Sequence, residues 1–191
     1  MTLSMSTRFD RDRPHRAARL IWVLVLGLLA LTSCNRERAL SGADAVEIYA
    51  AVVRRIYTQD DTFGGTLQPP TLYLVRTTDD SVGDPEAGRS EPERLPEEVQ
   101  DGIRQALADL PTRIVWVDDR DQVPLDPNTG AVPGGGAIVT LGNLHPQDDG
   151  SVHVAGSIYV AMLAAGGQTF VVEQVEGSWQ VTGTTGVIWM S

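Results

Sequence analysis

Twelve uncharged residues, Leu20 to Leu31 (LIWVLVLGLLAL), divide this chain more sharply than any other feature and decide how much of it is left to fold. A helix crossing the hydrocarbon core needs about 20 apolar residues, so this run is short for a membrane span. Arg8, Arg11, Arg13, Arg16 and Arg19 stand ahead of it. A basic segment followed by an apolar run of this length has the form of a secretory signal peptide. The basic segment holds no adjacent arginine pair, which argues against the twin-arginine route.

The residues after the run set its type. Leu31-Thr32-Ser33-Cys34 is an aliphatic residue, two small residues and a cysteine, and it resembles the lipobox of bacterial lipoproteins. That resemblance implies a diacylglyceryl group on the Cys34 sulfur, cleavage of residues 1–33 ahead of it, and a new amino terminus open to further acylation. A thiolate is the nucleophile such chemistry needs. Several acyl chains hold a protein far more firmly than one, which binds only reversibly. Cys34 is the only cysteine of the 191 residues, so no internal disulfide can form. The implied location is the extracytoplasmic side of a cell membrane, with residues 34–40 as a lipidated tether and 41–191 as one domain. The competing reading is a plain signal anchor with an incidental cysteine.

Charge bounds the partners. The first 33 residues carry five arginines against Asp10 and Asp12, a net of +3. Of the whole chain's 15 basic and 25 acidic residues, 10 and 23 therefore remain in 34–191, a net of −13. So acidic a surface is repelled by nucleic acid and by anionic lipid headgroups. The expected partners are the membrane, reached through lipid on Cys34, and an envelope protein or small ligand, with no nucleic acid. Every basic residue is arginine and none is lysine, a pattern that GC-rich coding explains without any arginine-specific function.

Ser41-Gly42-Ala43-Asp44 resembles a capping box with Asp in the distal place. Ala45, Tyr49, Val52, Val53 and Ile56 follow at helical spacing, predicting a helix over about 43–57. Thr71 to Thr77 reads as a strand, and 78–94 as a long acidic loop. Pro96 at the first turn, Glu97 and Glu98 at the positive end, and Val99, Ile103 and Leu107 on one face predict a second helix over about 96–109. Further strands are expected at 114–117, 137–141, 152–164, 169–175, 179–182 and 187–190, with hairpin turns at Gly166-Gly167 and Glu176-Gly177. Helices early and a meander late give the α+β class: two helices on the concave face of a curved, mainly antiparallel sheet formed largely by the C-terminal half. The ending VEQVEGSWQVTGTTGVIWMS resembles the closing hairpins of many small secreted α+β domains, a likeness that implies no activity.

Candidate chemistry is sparse. His145 and His153, with Asp148 and Asp149 between them, could meet on a hairpin as zinc ligands do. Asp148-Asp149-Gly150 is equally ordinary turn composition. Asp118, Asp119, Asp121, Asp126, Asn128 and Gly130 suggest a calcium loop, but Pro124 and Leu125 interrupt the alternation and no Glu follows at the required distance. Gly134-Gly135-Gly136 has no Lys after it and leads into a strand, unlike a phosphate loop. Ser157 lies within a strand with no evident base, and Glu97 and Glu98 project about 100° apart on their helix. Trp116, Trp179, Trp189, Tyr73, Tyr159 and Phe170 fall in strands and serve a core or a pocket. The expectation is a non-enzymatic envelope lipoprotein with a binding or accessory role and no cofactor. The alternative is a metal-dependent hydrolase using His145 and His153.

Overall fold

Ser41 starts the first helix. The computed structural model describes residues 39–61, 63–86 and 90–191; the segments expected to form a signal peptide, a lipobox (Leu31 to Cys34) and, as far as Arg38, a tether lie outside them. The Ser41 hydroxyl accepts from the Asp44 N–H at 3.2 Å, and the Asp44 carboxylate accepts from the Ser41 N–H at 2.9 Å. This reciprocal cap stabilises the start of helix α1 (Gly42–Thr58) by about 1 kcal/mol. Ile48, Tyr49, Val52, Val53 and Ile56 are buried on one stripe. Helix α2 (Glu97–Ala106) buries Val99 and Ile103 and begins after Pro96, which is its N-cap and not a residue of its first turn. The helices touch where α2 has no side chain: a Cβ on Gly102 would stand 2.6 Å from Val46 Cγ2.

Seven strands make one mixed sheet: β1 (Thr71–Val75), β2 (Arg113–Val117), β3 (Ala137–Leu141), β4 (His145–Pro146), β5 (Val152–Ala161), β6 (Ala164–Val175) and β7 (Ser178–Met190). The order is β2-β1-β3-β5-β6-β7, with β4 also on β5. β1 runs parallel to β2 and to β3, and the remaining pairs are antiparallel. Alternation gives the sheet two apolar faces. Leu72, Leu74, Val139, Leu141, Val154, Ile158, Phe170 and Val172 pack with both helices. Val75, Val117 and Ile138 turn the other way and pack with Val123 and Val132 from the β2–β3 connection. Burying a side chain such as Phe170 stabilises the fold by roughly 1.5–3 kcal/mol, so the helix-side cluster dominates.

The α+β class, the two helices and the largely C-terminal, mainly antiparallel sheet are as the sequence predicts. Several details differ, among them that the first strand ends at Val75 and the second helix at Ala106. The β5–β6 turn is Met162-Leu163, while Gly166 and Gly167 lie inside β6. The predicted strands 179–182 and 187–190 are one strand, bulged near Thr182 and again between Thr185 and Trp189. His145-Pro146 belongs to a short strand and not to a turn. The Glu176-Gly177 hairpin stands as read, both residues having positive φ (52° and 85°) as a type I′ turn requires.

Candidate functional site

β1 is the branch point of the topology. The chain leaves it through α2 on the helix-covered face to reach β2 on one side. It returns through residues 118–136, packed on the opposite face, to place β3 on the other side. Connections that diverge in this way open a crevice at the carboxyl ends of the parallel strands, the usual ligand position in open sheets with parallel strands. Here Thr77 to Val82 follow β1, and Gly142 and Asn143 follow β3.

The acidic stretch after β1 is not simply a solvated loop. Asp79 caps a short 3-10 turn (Asp80–Val82) through the Ser81 N–H at 2.9 Å. Asp80 points inward, its side chain only 8% exposed. Its carboxylate accepts from the Asn143 N–H at 2.7 Å, the Ser90 N–H at 3.4 Å and the Asn143 amide at 3.5 Å, and stands 3.0 Å from His145 Nε2. Burial acts to raise the Asp80 carboxyl, but the Asn143 N–H and then His145 outweigh it and hold it below its ordinary value. Thr78 donates to Asn143 Oδ1, and the Asn143 amide donates to Glu91 O at 3.0 Å. Tyr49 reaches across from α1 to donate to Gly142 O at 3.2 Å. Its hydroxyl is pushed above its ordinary value by burial, with Glu93 and Asp80 adding to the effect.

Small residues let this turn lie flat on the sheet. A Cβ on Gly142 would be 2.6 Å from Asp80 Oδ1, and one on Gly83 would be 2.8 Å from Ala155 Cβ. At Gly167 it would be 2.0 Å from Val82 O, the same carbonyl that accepts the Trp189 indole N–H at 2.9 Å. Gly167, expected in a hairpin turn of its own, instead makes room for this one.

Between this wall and the β2–β3 connection lies a groove of about 940 Å³. Ile138 and Thr140 of β3 and Ser157 and Tyr159 of β5 form its floor, and Thr140 and Ser157 are cross-strand neighbours. Asp118, Asp119, Arg120 and Trp189 also line the groove. Asp118 bridges Arg94 (2.9 Å) and Arg76 (3.0 Å), which hold it below its ordinary value. Arg120 stacks 3.8 Å over the Tyr159 ring.

The candidates from sequence fare unequally. His145 and His153 do come opposite each other across β4 and β5. Asp149 accepts from the Ser151 hydroxyl and N–H, which lower its pKa with a smaller contribution from His153. Asp148 is exposed in the β4–β5 turn, and His145 is engaged with Asp80. Asp119 caps the Asp121 N–H, and Asp126 accepts from the N–H groups of Asn128 and Thr129 and from the Thr129 hydroxyl. Gly130 has φ +64° and its carbonyl accepts from Tyr159. These are Asx-turns, and of their residues Asp119 lines the groove. Among the described residues no three His, Cys, Asp or Glu side chains converge as metal ligands. Of the aromatics, Trp116 and Phe170 are core, Trp179 donates to Asp44 at 2.9 Å, and Tyr159 and Trp189 line the groove.

Asp80, Asn143 and Thr78 were not legible as a site. The only signal for them is polar residues placed directly after two strands. Comparison of the chain with family models, curated proteins and solved structures returns no match.

Proposed function

We propose that this protein is a lipid-anchored extracytoplasmic domain that binds a small polar ligand at the cell envelope. The observation that carries the binding part is the groove at the carboxyl ends of β1 and β3. Its volume of about 940 Å³ lies within the range of small-molecule sites. Its floor offers the hydroxyls of Thr140 and Ser157 beside Ile138 and the Tyr159 ring, the mixture of apolar surface and a few convergent polar groups that such sites use. The anchor rests on the lipobox resemblance of Leu31 to Cys34. A hydrolase built on His145 and His153 has less support, since His145 pairs with Asp80 and, among the described residues, no three His, Cys, Asp or Glu side chains converge as metal ligands.

Native mass spectrometry of the full chain purified from membranes tests the binding. The wild type is expected to carry a small-molecule adduct whose removal shifts Trp189 emission. Thr140→Phe, which fills the groove floor, is expected to lose that adduct while keeping its unfolding midpoint within about 1 kcal/mol. Adduct retained by Thr140→Phe would place the ligand elsewhere. No adduct, and no response of Trp189 to a metabolite panel, would remove the reading.

A further inference from the structure

The two ends of the sheet are built differently. β2 is an edge of five residues and opens with the exposed Arg113. β7 is an edge of 13 residues, and from Ser178 to Ser191 it carries no charged side chain, in a mature chain of net charge −13. Sheet edges are ordinarily blunted by charge, by brevity or by a covering element, because their unpaired N–H and C=O groups template a further strand. Only the start of β7 is covered: the Trp179 N–H donates to Glu47 of α1 at 3.4 Å and its indole to Asp44. Among the described residues, no side chain is hydrogen-bonded to the backbone of Thr182 to Met190. The same stretch displays Val187 (52% exposed), Ile188 (60%) and Met190 (73%). Met162 and Leu163, also exposed, lie in the adjoining β5–β6 turn, since Gly166 pairs with Met190.

We infer that the free edge of β7 pairs antiparallel with the β7 edge of a second copy, joining two sheets across a twofold axis. Unpaired backbone N–H and C=O groups along an edge specify a β-strand as its occupant. Two acidic domains approach each other at least cost along a seam where neither carries charge, and β7 offers that seam to itself. Antiparallel pairing of one strand with its own copy is isologous and closes at two. The outer edges of the pair are then two short β2 strands, so the assembly ends there and does not grow into a fibre. The bulges near Thr182 and between Thr185 and Trp189 bend the strand, which confines the regular pairing to a short central stretch around Gly183–Thr185. This inference does not rest on the groove.

Cysteine crosslinking in the full chain tests it, since a twofold axis places one position of β7 opposite itself. Single cysteines at Thr182, Thr184, Thr185 and Val187 are compared with the unmodified parent and with Asp101→Cys on the exposed face of α2. The expected result is covalent homodimer peaking at one or two of the β7 positions, with the parent and Asp101→Cys at background. Thr184→Lys, at an exposed position inside the pairing stretch, is expected to weaken the dimer about ten-fold in sedimentation while leaving the unfolding midpoint unchanged. Background crosslinking across the whole β7 scan, capture of a different protein in place of a second copy, or a dimer indifferent to Thr184→Lys would each overturn the inference.

Discussion

Gly167→Ala is expected to destabilise the protein by about 2–4 kcal/mol, although it adds one methyl group to a strand that ordinarily favours alanine over glycine. The added Cβ would stand 2.0 Å from Val82 O and 2.6 Å from the Trp189 indole nitrogen. Neither neighbour is a flexible side-chain tip. Val82 O is backbone, and it is held by the Trp189 N–H at 2.9 Å. Relief therefore requires lifting the Asp80–Val82 turn off the sheet, which breaks the indole bond and loosens Asp80 from Asn143. Gly183→Ala in β7 is the matched control. It has open space around the new Cβ and a φ that any residue adopts, so it is expected to be neutral or to stabilise by a few tenths of a kcal/mol. Urea unfolding midpoints of the two variants give the comparison directly. Similar midpoints would mean that the turn does not press on the sheet.

Asp80→Ala is expected to cost about 2–3 kcal/mol, more than most single surface substitutions. The loss leaves the Asn143 N–H without its acceptor in a buried setting and releases His145 from its partner. His145 is 42% exposed and can turn to water, which keeps the cost below that of a fully buried ion pair. Asp80→Asn separates charge from shape and carries a pH signature. Because the folded carboxyl sits below its unfolded value of about 3.9, its stabilisation is complete above that pH and is lost as pH falls through the folded value. The advantage of the wild type over Asp80→Asn is therefore expected to be constant near neutrality and to shrink below about pH 4. A difference that grows with acidity would reverse the assigned direction.

The frame of this fold was readable because its signals are local. The Ser41–Asp44 cap, the apolar stripe of α1 and the type I′ Glu176-Gly177 turn each depend on residues within a few positions of one another. The site was not readable, because its determinants come from elements far apart in the chain. Asp80 is 65 residues from His145, and Gly167 faces Val82 and Trp189 across two different connections. Gly166-Gly167 looks like a turn because glycine permits turns, but glycine also permits close backbone approach, and only the assembled sheet says which use applies. The β5–β6 turn was misplaced for the same reason: Met162-Leu163 has no turn chemistry, so the glycines three residues on appeared the better candidate. The paired histidines were half right. Their cross-strand register follows from hairpin geometry, while the engagement of His145 by a carboxylate from another loop does not.

Membrane attachment is the premise on which the proposed role depends, and intact mass with fractionation tests it most directly. In a bacterial host, the wild-type chain is expected to appear in the membrane fraction as a species beginning at Cys34 and heavier by its acyl chains. Cys34→Ala is expected to lose both the added mass and the cleavage ahead of residue 34. An unlipidated wild type, or a Cys34→Ala variant indistinguishable from it in mass and partition, would contradict the account and return the leader to a plain signal sequence or anchor.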